Sequence, residues 1–444
     1  MTGDAYTLSD DPIHTESAPA GSEGIAMTDH DADVLPDAPA DPTSGSAASS
    51  ASALGRTRRR RRRLLPWKHK RDLTPSQRRR RRLVTRSALA VGLVCAGWLG
   101  WSIGQALTYP GRDGVEARLA EWGRDHHLGL MINQLEDWQY ALNPPRVGGS
   151  LSAAELARMR ATQSAVPGGP VPLRAPMPTS ISPRLPGEGV WRTLVSYHGL
   201  PLVQGTYVRP DAEHSSYEAA VAWISAAHAT FFLHPGFREP GGSFAVPPTI
   251  PVGQRTGLIA TWNGGFRITD GTSKGGFYLD GRTDSTLRDG AASEVFYRDG
   301  SIRIGTWGRD VRMTPDVVGV RQCLTLMVDG GRLAGDIDVP YQYGWAYQGK
   351  KYVERSGVGV TANGDIIMVV GQALSARTLA ELMQHAGAVR AMPLDMNGAW
   401  PSFMSYDASA NPADPKPTNM LDFGEAADRY YTQATRDFVA VYAK

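Results

Sequence analysis

Asp395 closes an apolar run, Ala391-Met392-Pro393-Leu394, and opens a loop broken by Gly398 and Pro401. A carboxylate at the end of a buried strand is costly to desolvate without a partner or a purpose, and loops at strand ends are where chemistry collects. Asp395 is therefore the first candidate for a catalytic group, against the alternative of a structural Asp that caps the following loop. Asn263-Gly264-Gly265 stands in a similar strand-to-loop setting. Its glycines permit positive φ and close backbone approach, so the segment reads either as an anion-binding nest beside a side-chain amide or as a tight turn. Lys274-Gly275-Gly276 repeats the theme with a cation that would cradle a phosphate. Arg355 follows Glu354 at the start of an apolar strand and offers a guanidinium fork to two phosphate oxygens, or to Glu354 or another carboxylate. Asp329 and Asp280 each precede glycine at a strand end, the pattern of a turn.

No serine or cysteine nucleophile motif occurs, and neither H-E-x-x-H nor a P-loop is present. Metal-ligand spacing of Cys with His is also missing, and His126-His127 is an isolated pair. The chemistry offered by Asn, Gly, Arg, Lys and Asp is electrostatic stabilisation of an anionic substrate with help from a carboxylate. It calls for neither a metal nor another cofactor.

Short apolar runs separated by turn signals would position these groups. Trp191 to Tyr197 and Leu202 to Arg209 read as strands, and Ser216 to Phe232 as a helix with Ala220, Trp223, Ile224, Ala227 and Phe231 on one face. Strands follow at Gly257 to Trp262, Gly276 to Leu279 and Leu324 to Val328. Asp299-Gly300 and Asn363-Gly364 mark two hairpins. A helix at Ala376 to Ala386 precedes a final strand, Ala388 to Leu394, which delivers Asp395. Hairpins, a helix and a further strand predict an α+β domain with a mixed, largely antiparallel sheet and packed helices.

The N-terminal third is a different polymer. Residues 1–55 hold no Lys or Arg and are rich in Asp, Ala, Pro, Ser and Gly, a composition expected to stay disordered. Arginine runs follow at Arg58 to Arg63 and Arg78 to Arg82. Ser87 to Tyr109 then has no charged residue and is long enough to cross a hydrocarbon layer of ~30 Å. Because the arginines abut that span, they read as its cytoplasmic flank and not as a nucleic-acid site. The expected order is a cytoplasmic tail (1–86), a transmembrane signal anchor (87–109), a helical stalk and Pro-rich linker (110–189) and an extracytoplasmic domain (190–444). The stalk shows helical periodicity over 112–142. Only Cys95 and Cys323 occur, so no disulfide is expected within the outer domain. The net charge of +3 averages an acidic tail and a basic collar and says nothing about partners.

Six motifs, in this order and spacing, resemble the phosphodiester glycosidase family: Asn263-Gly264-Gly265-Phe266, Lys274-Gly275-Gly276-Phe277, Leu326-Met327-Val328-Asp329-Gly330, Arg355-Ser356-Gly357-Val358-Gly359-Val360, Leu379-Ala380-Glu381-Leu382-Met383 and Leu394-Asp395. The similarity runs from about 255 to 405, and the anchor and stalk look like the membrane-anchored bacterial branch. The resemblance implies hydrolysis of a sugar-1-phosphate diester at the anomeric C–O bond. It implies Asp395, Arg355 and Asn263 as catalytic residues, with Gly264, Gly265, Lys274 and Asp329 binding substrate. The implied partner is a phosphorylated glycan or cell-wall polymer. One departure stands out: the family's Asp is followed by a glycine run and serines, and here Met396-Asn397-Gly398-Ala399-Trp400-Pro401-Ser402 follows. Asn397 would supply an amide in place of a backbone N–H, and Trp400 either stacks on a sugar face or packs in the core.

Overall fold

The computed structural model describes residues 74–161, 173–268, 275–339, 342–344, 352–396 and 398–444. The stretch expected to be disordered, the first arginine run, Lys274 and Asn397 lie outside them. Helix α1 (Pro75–Thr108) carries Arg78 to Arg82 and the apolar segment on one continuous rod, with nearly every side chain exposed. It is the one helix among the described residues long and apolar enough to cross a membrane. The 112–142 periodicity resolves into α2 (Val115–Asp125) and α3 (Gly129–Leu142). His127 breaks them apart with φ +60°, and Leu128 N–H returns to the Gly123 carbonyl at 2.8 Å, which closes α2. Helix α4 (Ala153–Arg160) starts from a reciprocal capping box between Ser152 and Glu155. Residues 173–189 lie against the domain: the Met177 N–H donates to the Gly189 carbonyl at 2.8 Å, and the Gly189 N–H to the Tyr207 carbonyl at 2.9 Å.

The strands in chain order begin with β1 (Arg192–Tyr197), β2 (Leu200–Val208), β3 (Ala219–Ile224), β4 (Ala229–His234), β5 (Leu258–Asn263) and β6 (Phe277–Leu279). Next come β7 (Arg282–Ser285), β8 (Ala292–Tyr297), β9 (Ile302–Thr306), β10 (Val317–Gln322), β11 (Val328–Asp329) and β12 (Arg332–Leu333). The last six are β13 (Val353–Thr361), β14 (Ile366–Leu374), β15 (Ala388–Met396), β16 (Phe403–Asp407), β17 (Lys416–Asn419) and β18 (Phe438–Ala443), with α5 (Ala376–His385) between β14 and β15. They form three sheets, ordered β1-β2-β3-β14-β13-β15-β11-β12, β7-β6-β10-β8-β9 and β17-β16-β5-β18-β4. The strand pairs are antiparallel. The α+β class with antiparallel sheets and helices is what the patterning predicts.

Both faces of the eight-stranded sheet are covered. Ile366, Met368 and Val370 of β14 join the core shared with the other two sheets, while Ile367 and Val369 pack with Leu379, Leu382 and Met383 of α5. This is why the strand reads as an unbroken apolar run.

Three expectations need correction. Ser216 to Phe232 is not a helix: β3 and β4 occupy it, joined by a 3-10 turn at Ala226–His228. All six residues of β3 are buried, and a short run buried on both faces carries no period that separates strand from helix. Of Leu324 to Val328 only Val328 is in a strand, because Leu324 takes φ +50° and turns the chain. Nor is β15 the final strand. The chain returns three more times, and β18 inserts between β5 and β4.

Candidate active site

Asp395 stands one residue before the end of β15, beside β13 and beyond the short stretch that pairs with β11. Its side chain is buried. Oδ1 accepts the Met396 N–H at 2.8 Å and Oδ2 accepts Arg436 Nη1 at 2.7 Å. Burial opposes its ionisation and Arg436 favours it. Burial wins, and the carboxyl is pushed up to about 7. Arg436 precedes β18 by two residues, and the third sheet carries it to Asp395 from the other side of the core.

Asn263 ends β5 beside Phe438 of β18. Its Nδ2 donates to the Gly264 carbonyl at 2.7 Å and to Ser356 Oγ at 3.1 Å, and its Oδ1 accepts the Ser402 N–H at 2.9 Å. The amide thus ties β5 to β13 and to the start of β16. Gly264 and Gly265 serve close approach and not positive φ. A Cβ on Gly264 would lie 2.0 Å from Asp437 Oδ2, and one on Gly265 would lie 2.8 Å from Cys323 Cβ. The Gly264 N–H is used by the Asp437 carbonyl at 2.9 Å.

Asn263, Gly264, Gly265, Asp395 and Trp400 come together on one pocket, with Arg429, Arg436 and Asp437. The cavity left between them is about 10 Å³, room for roughly one water molecule. Trp400 is buried, and the Arg436 guanidinium lies 3.9 Å over its ring, so that face is already covered by a cation. Arg355 stands outside this lining. Its Nε donates to the Leu374 carbonyl and Nη1 to the Tyr343 carbonyl, both at 2.9 Å. Among the described residues no carboxylate pairs with it. Glu354 accepts Tyr140 Oη of α3 at 2.6 Å instead, and burial brings the guanidinium down to about 10. Asp329 is not brought to the pocket. It pairs with Arg309 at 2.7 Å and lies opposite Arg390, five residues back along β15 from Asp395, or about 17 Å at the strand rise.

The sequence reading missed the groups that set the charge of this site. Arg321 and Asp437 form a bidentate pair at 2.7 and 3.3 Å with both side chains buried. Arg436 touches Asp395, Glu121 and Trp400. Arg429 holds Asp113 at 3.2 Å. One signal was there: Arg436-Asp437 abuts the apolar run Phe438 to Val441, as Asp395 follows its own.

Helix α2 reaches the pocket's Arg436. Glu121 accepts Arg436 Nη2 at 2.6 Å through Oε1 and pairs with Arg267 Nη1 at 3.0 Å through Oε2. Burial opposes its charge, but Arg436 and Arg267 overcome this and hold its carboxyl below the usual range. Asp125, one turn on, pairs with Arg267 at 2.9 Å and with Arg238.

Three buried carboxyls set the pH response of the fold. Burial pushes Glu218 and Asp395 up to about 7 and Glu294 to about 8. Between about pH 4 and 8 the folded chain therefore keeps protons that the unfolded chain has released, and stability falls as pH rises, by up to about 1.4 kcal/mol per pH unit for each group. Glu121 has the opposite sign, with its loss on acidification below the ordinary carboxyl range, and so does His234, which burial brings down to about 4 and which costs stability as pH falls below its ordinary value; the three carboxyls outweigh it. Urea unfolding at pH 5 and pH 8 checks this; equal or greater stability at pH 8 contradicts it.

Residues 256–415 match the phosphodiester glycosidase family. The chain carries a phosphodiester glycosidase domain. The matched stretch of this domain opens at β5 and contains Asn263, Arg355, Asp395 and Trp400, while Arg429, Arg436 and Asp437 lie beyond its end. Among solved structures, the chain is similar to the zebrafish N-acetylglucosamine-1-phosphodiester alpha-N-acetylglucosaminidase catalytic domain, auto-inhibited by its pro-peptide. That likeness has 12% identity and a TM-score of 0.36, over 64% of this chain and 92% of that one. A hypothetical protein from Synechocystis is 13% identical with a TM-score of 0.31, over 56% and 63% of the two chains. A Burkholderia pseudomallei protein described as exported is 12% identical with a TM-score of 0.26, over 51% and 74%. No curated protein matches the chain.

Proposed function

We propose that the protein is a membrane-anchored hydrolase of sugar-1-phosphate diesters, with residues 1–86 cytoplasmic, 87–109 in the membrane and the domain from 190 onwards acting outside on cell-envelope glycans. The observation that carries the catalytic part is Asp395. It is a buried carboxyl pushed up to about 7, bonded to Arg436 on the floor of a pocket that Trp400 and the Asn263-Gly264-Gly265 turn also line.

The chemistry suits a phosphate leaving group, which needs little protonation. The anomeric C–O bond breaks with its electron pair going to the phosphate oxygen, and water supplies the hydroxyl to the sugar carbon and a proton to solvent. Guanidiniums such as Arg436 and Arg267 stabilise the phosphate charge. Ionised Asp395 stabilises the oxocarbenium-like carbon or attacks it. Asn263, with its hydrogen bonds met by Gly264, Ser356 and Ser402, holds the pocket wall. Arg355, one strand over from Met396, adds positive potential from behind.

Turnover of the full chain on a panel of sugar-1-phosphate diesters, with released sugar detected, tests the reading. Release by the wild type and not by Asp395→Asn supports it. Saturable binding without release in either form points to a phosphoglycan-binding module and overturns the hydrolase.

In this arrangement Glu121 holds the same two guanidiniums that a phosphodiester would use. Substrate must displace it, so Glu121→Gln is expected to raise kcat/KM by about tenfold, or roughly 1.4 kcal/mol. An unchanged kcat/KM would mean that the substrate anion binds elsewhere.

A further inference from the structure

Helix α3 presents an apolar face that no other described part of the chain covers. Met131, Leu135, Trp138 and Leu142 recur at steps of four, three and four, and are 61, 54, 60 and 80% exposed. The opposite face meets the protein: Glu136 pairs with Arg124 at 2.6 Å and Tyr140 with Glu354 at 2.6 Å. A helix with its polar groups turned to the domain and its large apolar groups turned out is arranged for an apolar neighbour.

The position of α3 along α1 says which neighbour. Trp122 Nε1 donates to Ser102 Oγ at 2.9 Å, His126 Nε2 lies 3.2 Å from that oxygen, and the His126 and Trp98 rings are 5.8 Å apart. Ser102 and Trp98 precede the end of α1 at Thr108 by six and ten residues, or about 9 and 15 Å along the axis. The corner between α2 and α3 therefore docks on about the last three turns of α1, beside the outer boundary of the bilayer when 87–109 spans it, and α3 starts from that corner.

We propose that α3 is an interfacial helix whose Met131, Leu135, Trp138 and Leu142 face lies in the headgroup–acyl boundary of the outer leaflet. The inference rests on the reading of α1 as the membrane span. The lipid surface is favoured as occupant because α3 starts from a corner whose Trp122 and His126 are seated on α1, the exposed apolar helix read as the span, and Trp138 is a side chain suited to that boundary. Through Tyr140 on Glu354, and through α2 and Glu121 on Arg436, the seated hairpin sets the candidate active site next to the lipid surface.

The test uses the full chain in phosphatidylcholine–phosphatidylglycerol liposomes on a Cys95→Ser background. Cys323 is buried, with its thiol pushed up to about 12, and does not compete for label. Fluorophores are placed at Met131→Cys, Leu135→Cys and Trp138→Cys, with Val94→Cys as the span reference and Asn363→Cys, at the tip of the β13–β14 hairpin, as the aqueous reference. The expected result is quenching of the three α3 labels by shallow spin-labelled lipid, at a depth of roughly 5–10 Å, with iodide quenching about threefold weaker than at Asn363. Iodide quenching equal to that at Asn363, while Val94 is lipid-quenched, overturns the inference and leaves the anchor standing. Shielding from both quenchers means a protein partner covers the face, and also overturns it. An aqueous Val94 label overturns the anchor reading itself, and the inference with it.

Discussion

Asp395→Asn should lower turnover of a glycosyl phosphodiester by about 10²–10⁴-fold with little change in KM. The substitution keeps the shape of the side chain and its acceptor for the Met396 N–H, and removes only the charge that Arg436 and a developing oxocarbenium carbon would meet. Because burial pushes the wild-type carboxyl up to about 7, kcat/KM should rise with pH through that value as the ionised form accumulates. The variant should lack that limb. It should also unfold at a higher denaturant concentration than the wild type at pH 8, since the folded protein no longer has to hold an anion in a site that resists ionisation. Residual turnover within threefold of wild type would remove Asp395 from the mechanism and leave it as a cap.

Arg436→Met should destabilise the domain by about 3–5 kcal/mol, the usual cost of taking one partner from a buried ionic network. For a domain of this size that lowers Tm by on the order of 10 °C. The guanidinium stands within 2.7 Å of Asp395 and 2.6 Å of Glu121, and 3.8 Å from Glu239. A methionine fills the space over Trp400 but leaves three buried carboxyls with less positive charge. Asp395 should then take up a proton at still higher pH, and turnover should fall with it. Adding Asp395→Asn to Arg436→Met should recover part of the lost stability, and a double-mutant cycle by thermal unfolding at pH 8 reads that coupling. A loss below about 1 kcal/mol with no coupling would show that solvent screens the network.

The parts of the site that could be read from sequence are those whose signal is local. Asp395 after an apolar run, Asn263 before two glycines and Trp400 in the following loop all line one pocket in the folded chain. Asp329 sat in an equally regular strand-end pattern, yet it belongs to the far end of the same sheet and pairs with Arg309. The strand-end rule finds carboxylates at strand ends without saying which end. The missed residues, Arg436, Asp437, Arg321 and Glu121, had no local mark strong enough to single them out. Their partners lie 41, 116 and 315 residues away in the chain, and an arginine looks the same whether it faces water or a buried acid.

What the sequence determined by itself is the class of the parts. Charge segregation and an uncharged run of membrane length mark α1, short apolar runs bounded by turn signals such as Asp-Gly or Asn-Gly mark most of the central strands, and six spaced motifs mark the family. Those properties depend on nearest neighbours and on burial pattern, which sequence records directly. Tertiary structure alone decided that 216–232 is two strands, that β18 inserts between β5 and β4 of the third sheet, and that α2 brings a carboxylate onto Arg436 of the pocket. Each of these turns on which buried surface meets which. A short run buried on both faces has no period, and the energy of an ion pair depends on a distance that closes only when remote segments have packed.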